Sequence, residues 1–125
     1  MVGILLSFRL HAVSFSSDIE KAFLNVKLEE KDRNYTKFLW LSDPNDPESD
    51  FIVYRFKSVL FGSVSSPFML NAVLKAHLES TPSPVAQDLQ HNIYVDNLLS
   101  GTHDADKAIT YYQDAINILS YGGFN

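Results

Sequence analysis

A nine-residue stretch, SDPNDPESD at residues 42–50, constrains the fold more than any other segment of the chain. It packs two prolines and four acidic residues between two runs rich in apolar and aromatic residues, KFLWL and FIVYRF. Prolines and aspartates are typical of surface turns. The pattern therefore predicts a β-hairpin in which the two runs pair antiparallel across an exposed loop.

The segments before this hairpin predict one strand and two helical pieces. HAVSFSS alternates apolar and polar residues and predicts a strand that ends near Asp18. A short helix is expected over residues 18–26, and the charged segment LEEKDRNYTKF predicts an exposed helical turn that leads into KFLWL.

The segments after the hairpin predict two longer helices and a second hairpin. Ser66 is expected to be the N-cap of a helix with Pro67 at its first position, and apolar residues nearly encircle this helix, which predicts that most of it is buried. STPSPVAQDLQ is expected to form a loop, and HNIYV and LLSGT a hairpin around Asp96 and Asn97. A last helix is expected over residues 104–120, with Gly122 as its C-terminal cap.

This order of elements predicts the α+β class, with an antiparallel sheet and helices packed on one face. The chain has 125 residues, of which 46% are hydrophobic, which is enough for one domain with a core.

Composition excludes several kinds of site. There are no cysteines, so neither disulfides nor thiolate metal sites are available, and a metal must be held by oxygen or imidazole. The formal net charge of -5 argues against a free-standing nucleic-acid-binding protein. The opening MVGILLSFRL is too short an apolar run for a signal peptide or a membrane span, which predicts an intracellular protein without a membrane partner.

Two aspartates have both a structural and a functional interpretation. Ser17 and Glu20 match a capping box at a helix start, which would give Asp18 no special role, and Asp96 and Asn97 suit a two-residue hairpin turn. Alternatively, each aspartate follows a strand, and adjacent antiparallel strands would bring the two carboxylates into one small space. Two neighbouring carboxylates repel each other unless a cation lies between them. The second interpretation therefore predicts a Mg²⁺ site at Asp18 and Asp96.

Three segments also resemble motifs A, B and C of reverse transcriptases, in the same order and spacing. They are SDIEKAFLNVKLEEKDRNYTKFLW, YRFKSVLFGSVSSPFMLNAV and IYVDNLLSG, and the chain looks most like the polymerase of BEL/Pao-type LTR retrotransposons. The resemblance implies a partial reverse-transcriptase domain. The palm would comprise residues 1–27 and 61–125, and an inserted fingers hairpin would comprise residues 28–60.

The resemblance also implies a role for individual residues. Asp18 and Asp96 would be catalytic and would hold two Mg²⁺ or Mn²⁺ ions, with the main-chain carbonyl of Ile19 and the side chain of Asn97 as further ligands. The nucleotide would contact three more residues: Phe23, which falls at the position of the family's steric gate against a ribose 2′-hydroxyl, Phe61 and Gly62.

One departure from the family pattern lies within the site. Reverse transcriptases usually have a second aspartate where this chain has Asn97, and an amide can ligate Mg²⁺ but brings no charge. The resemblance also implies a thumb and an RNase H segment outside these residues. We therefore expect little or no polymerisation by this chain alone. The alternatives are a non-catalytic retrotransposon remnant that at most binds nucleic acid or a partner chain, and an α+β domain without a site.

In intact relatives the partners would be an RNA or DNA template with its primer, deoxynucleoside triphosphates and the rest of the Pol polyprotein. The expected location is the cytoplasm or virus-like particles.

Overall fold

The computed structural model describes residues 2–125, which form five α-helices, five β-strands and one short 3₁₀ helix in that part of the chain. Their order begins with a helix and a strand, continues through a separate hairpin, and ends with three helices that enclose a second hairpin. The elements are α1 (Val2–Phe8), β1 (Val13–Asp18), α2 (Ala22–Asn25), the 3₁₀ helix (Arg33–Thr36), β2 (Lys37–Leu41), β3 (Phe51–Arg55), α3 (Ser66–Glu79), α4 (Pro84–Asn92), β4 (Ile93–Tyr94), β5 (Asn97–Thr102) and α5 (Ala105–Tyr121).

The main sheet is antiparallel, with the strand order β1-β5-β4. Side chains alternate across it, so Leu98 and Ser100 of β5 are buried on one face. Helices α4 and α5 pack against that face, where Leu98 shares a cluster with Leu89 and Ala115. The predicted α+β class with an antiparallel sheet and helices on one face is confirmed.

A second cluster of buried residues lies under the end of β1. It joins Ile19 and Phe23 to Leu70 and Leu74 of α3, and to Phe124 near the end of the chain. Because this cluster includes the residue that follows Asp18, the end of β1 is anchored to the core.

The predicted β2–β3 hairpin is also confirmed. Phe38 pairs with Tyr54 and Trp40 with Ile52, and the loop of residues 42–50 connects the strands. Both faces of this two-stranded sheet are largely exposed in the described chain.

The stretch STPSPVAQDLQ was expected to be a loop, and this expectation is wrong for most of it. Helix α4 begins at Pro84, because the Ser83 hydroxyl accepts a hydrogen bond from the Val85 N–H at 3.2 Å and proline suits the first helical turn. Ala86 and Leu89 are both fully buried and hold the helix to the core. Serine and proline, which suggested a loop, here mark a helix start.

One helix was not predicted, the helix expected over residues 18–26 is shorter than expected, and the capping box considered at its start is absent. Helix α1 was not predicted, and it buries none of its residues. Helix α2 covers four residues and begins after Lys21, which adopts a left-handed backbone with φ of 51° and provides no side-chain cap. Ser17 lies in β1, so no capping box forms there.

Helix α3 was expected to be buried nearly all round, but only one stripe of it is. The N-cap is Ser65 rather than Ser66. Phe68, which lies outside the stripe, is 76% exposed. The buried residues follow a four-residue spacing: Ser66, Leu70, Leu74 and Leu78.

Helix α5 agrees with its prediction to within one residue at each end. The Asp104 side chain accepts a hydrogen bond from the Lys107 N–H at 2.8 Å and caps the first turn. This hydrogen bond holds the pKa of Asp104 below its usual value. Gly122 follows the last turn as the C-cap.

Candidate active site

The end of β1 and the turn between β4 and β5 lie side by side. Asp18 is the last residue of β1, and its register partner on β5 is Asn97. The next amide, that of Ile19, donates a hydrogen bond to the main-chain carbonyl of Asp96 at 2.8 Å. This hydrogen bond fixes the backbone of the two aspartates relative to each other.

The turn that carries Asp96 is displaced by one residue from its predicted position. Tyr94 pairs with Asn97, so the two central residues are Val95 and Asp96 rather than Asp96 and Asn97. Val95 has a φ of 61°, a conformation that is unfavourable for a β-branched residue. Its side chain packs against the cluster that contains Ile19 and Phe23, and this packing offsets the strain.

Asn97 contacts the neighbouring aspartate directly. Its side-chain amide Nδ2 donates a hydrogen bond to Asp96 Oδ1 at 3.0 Å. A carboxylate at this position could not donate such a bond and would repel Asp96 instead. Asn97 therefore stabilises the turn without adding a third negative charge to the site.

One cavity of about 260 Å³ contains both aspartates. The rings of Phe23 and Phe61 also line it, edge to face with their centroids 5.6 Å apart. Phe23 is buried, whereas Phe61 is 84% exposed. The cavity thus combines two carboxylates with an aromatic wall. Its other lining residues are Ile19, Lys21, Ala22 and Leu24.

The other proposed contact residues differ in how directly they reach this space. Asn97 and Gly62 are outside the lining of the cavity. Gly62 has a φ of +85°, and a Cβ there would meet no atom within 4 Å, so the backbone conformation rather than a lack of space favours glycine. The Ile19 carbonyl accepts a hydrogen bond from the Ala22 N–H at 3.3 Å, which leaves one lone pair of the oxygen.

The sequence analysis missed Lys21 as a residue of the cavity. Its ammonium forms an ion pair with Glu20 at 3.0 Å. Its left-handed backbone places it between the end of β1 at Asp18 and the start of α2. The signal that could have identified it is its position three residues after a strand-ending aspartate. A cation in the lining could contact an anionic ligand such as a phosphate.

The donor set fits a hard divalent cation. Asp18 is exposed and Asp96 half-buried, so both remain accessible. Within residues 2–125 there is no group of three or more histidine, aspartate or glutamate side chains that could enclose a metal by themselves. Mg²⁺ is usually bound by one or two carboxylates, with water and substrate phosphates completing its octahedron. Asp18 and Asp96, which line the same cavity, can supply these carboxylates.

The family model described as reverse transcriptase (RNA-dependent DNA polymerase) matches residues 9–125. No curated protein sequence matches the chain. None of the helices in the described part of the chain is long and apolar enough to cross a membrane.

Proposed function

The chain belongs to the reverse transcriptase family, and on that premise we propose that it is part of an RNA-directed DNA polymerase that adds deoxynucleotides to a primer by a two-metal mechanism. Asp18 and Asp96 are its catalytic residues. The observation that carries this proposal is the common cavity of these two carboxylates beside the Phe23 and Phe61 rings.

Mg²⁺ or Mn²⁺ ions, when bound, supply activation of the primer 3′-hydroxyl and neutralisation of the charge on the reacting phosphates. The residues of the chain itself hold and orient the reactants. Asp18 and Asp96 provide charged oxygen ligands, with the Ile19 carbonyl and the Asn97 amide oxygen as neutral ones.

Phe23 discriminates between sugars in this proposal. Its ring is fixed by burial and by edge contact with Phe61. A wall of this kind rejects an added hydroxyl by about a hundredfold. Phe61 packs against the nucleotide, and Gly62 lets the backbone approach it because glycine has no side chain.

The domain assignment and the lineage belong to the same proposal. Residues 1–27 and 61–125 are the palm and residues 28–60 the fingers insertion of a BEL/Pao-like LTR retrotransposon. The partners are template, primer, deoxynucleoside triphosphates and the rest of the Pol polyprotein, and the site of action is the cytoplasm or a virus-like particle. The separate β2–β3 hairpin supports a division near residues 28 and 60.

Asn97 favours a second candidate function, that of a non-catalytic retrotransposon remnant that at most binds nucleic acid or a partner chain. Because residue 97 is an asparagine, the site has two carboxylates rather than three, and the Asn97 amide hydrogen-bonds one of them. A second metal ion would therefore bind more weakly, because the negative charge of an aspartate at position 97 would have attracted it.

A primer-extension assay with Mg²⁺ or Mn²⁺ tests these proposals. We expect little or no extension by the chain alone, and extension by a longer chain that carries Asn97→Asp. That extension must disappear with Asp18→Ala. A longer Asn97→Asp chain that stays inactive while it still binds a primer–template would favour the remnant.

A further inference from the structure

We infer that Asp88 is a positioning residue that holds β1, which ends at Asp18, against the β4–β5 hairpin, whose turn carries Asp96. The catalytic meaning of this inference rests on the proposed function. Asp88 lies on α4, outside the cavity of the two aspartates. Its Oδ2 accepts hydrogen bonds from three side chains, one on α4 itself, one on β5 and one on α5. They are Asn92 Nδ2 at 2.8 Å, Ser100 Oγ at 3.3 Å and Tyr111 OH at 2.7 Å.

These donors lie on both sides of the turn that carries Asp96. Asn92 is the last residue of α4, one turn after Asp88 and immediately before β4, and Ser100 is a buried residue of β5. Strand β4 has only two residues, so its ladder with β5 consists of Ile93 with Leu98 and Tyr94 with Asn97. So short a ladder holds the strained Val95–Asp96 turn weakly. Helix α4 continues directly into β4, so the hydrogen bond from Ser100 of β5 to Asp88 adds a second link between the two arms of this hairpin.

Tyr111 extends the link to the strand of Asp18. Its ring packs against Phe15 of β1, with centroids 5.4 Å apart, while its hydroxyl donates to Asp88. Partial burial, reinforced by the hydrogen bond to the Asp88 carboxylate, raises the pKa of Tyr111 far above its ordinary value. The hydroxyl is therefore protonated, and able to donate to Asp88, even in moderately alkaline solution.

The amide of Ile19 provides a direct measure of this positioning. Its N–H donates to the Asp96 carbonyl, so its hydrogen exchange reports on the contact between the end of β1 and the turn that carries Asp96. A control amide lies in the same core cluster as Ile19 but outside the main sheet, because the Val59 N–H donates to the Val26 carbonyl at 2.9 Å. A local effect changes the first amide and leaves the second unchanged.

The experiment compares hydrogen exchange, followed by NMR, in the whole chain and in Asp88→Ala, Asp88→Asn and Asp114→Ala. Asp114 is an exposed aspartate of α5, so its replacement removes the same charge without touching the three donors. We expect exchange at Ile19 to be about tenfold faster in Asp88→Ala and unchanged at Val59. Asp88→Asn, which keeps an acceptor oxygen, should restore most of the protection, and Asp114→Ala should change nothing.

Unchanged exchange at Ile19 in Asp88→Ala would overturn the inference, as would equal acceleration at Ile19 and Val59. If Asp88→Ala does not fold, Ser100→Ala and Asn92→Ala each remove one donor and must each accelerate Ile19 exchange selectively.

Titration with Mn²⁺, observed by electron paramagnetic resonance, separates this inference from the proposed function. If Asp88 positions Asp18 and Asp96, the Asp88→Ala protein should bind Mn²⁺ about tenfold more weakly than the wild type. Wild-type protein that binds no Mn²⁺ at Asp18 and Asp96 would contradict the proposed function, and the exchange of Ile19 would still decide the role of Asp88.

Discussion

Replacing Asn97 by aspartate should change metal affinity and metal-free stability in opposite directions. In the structure the Asn97 amide donates to Asp96 Oδ1 at 3.0 Å, and its register partner is Asp18. The substitution removes this donor and places a third negative charge beside two others. Without metal, the lost hydrogen bond and the added repulsion should lower the free energy of unfolding by about 1 to 2 kcal/mol.

With a divalent ion bound, the same charge becomes favourable. A unit charge about 4 Å from such an ion is attracted by roughly 2 kcal/mol in water and by roughly 8 kcal/mol at an effective dielectric constant near 20. Asp18 and Asn97 are exposed and Asp96 is half-buried, so the lower part of this range applies. After desolvation we expect about 1.4 to 2.8 kcal/mol, which is a roughly 10- to 100-fold tighter Mn²⁺ complex.

The assay pairs urea unfolding in EDTA with Mn²⁺ titration by calorimetry. Asn71→Asp is the matched control, because Asn71 is exposed on α3 and does not line the cavity of the two aspartates. This control should leave both quantities nearly unchanged. An Asn97→Asp protein that is more stable without metal, or that binds Mn²⁺ no more tightly than the wild type, would refute the assignment of Asn97 to the metal site.

Three further predictions concern the framework of the site. Leu70→Ala should lower the free energy of unfolding by about 2 to 5 kcal/mol, because Leu70 is 0% exposed. Phe68→Ala, on the outer face of α3, should lower it far less. Equal losses in urea unfolding would contradict the single buried stripe. Asp104→Ala should lower the melting temperature near pH 7. The difference from the wild type should shrink as the pH falls through the lowered pKa of Asp104, because the cap depends on the ionised carboxylate. Calorimetry that shows a constant difference down to pH 2 would exclude this explanation. Above about pH 10 the unfolded chain releases the Tyr111 proton while the folded protein retains it, so the free energy of unfolding should fall with rising pH. Tyr111→Phe should make that fall shallower. Identical alkaline unfolding curves for the two proteins would argue against a raised pKa of Tyr111.

Much of the fold could be predicted from local sequence patterns. Alternation and the acidic proline loop identified β1 and the β2–β3 hairpin, and Asp104 marked the start of α5. These signals are local, because a turn or a cap depends on a few neighbouring residues. An antiparallel sheet was expected from the order of elements, and the structure confirms it, but which strand pairs with β1 was not predicted and is β5.

Helices α3 and α4 show where local patterns were insufficient. Serine and proline are common both in loops and at helix starts, so STPSPVAQDLQ could not be resolved without knowing that Ala86 and Leu89 meet the core. The apolar residues around α3 likewise could not show which stripe would be covered. Burial of this kind depends on which elements pack together, and tertiary contacts decide that.

The candidate site was predicted only in part for the same reason. Asp18 and Asp96 were identified from the ends of their strands, and the structure brings both into one cavity with Phe23 and Phe61. The position of the turn at Val95 was not predictable, because a β-branched residue with positive φ contradicts turn preferences and is held by packing. The three donors to Asp88 lie on separate elements, so no spacing in the sequence indicates them.

A double-mutant cycle of Mn²⁺ affinity tests the central claim most directly, namely that Asp18 and Asp96 form one divalent-cation site. The wild type, Asp18→Ala, Asp96→Ala and the double variant are titrated with Mn²⁺ under conditions in which each is folded. If the two carboxylates share an ion, either single variant should abolish most of the binding, and the double variant should lose little more. Independent and additive losses, or binding that survives both substitutions, would contradict a shared site.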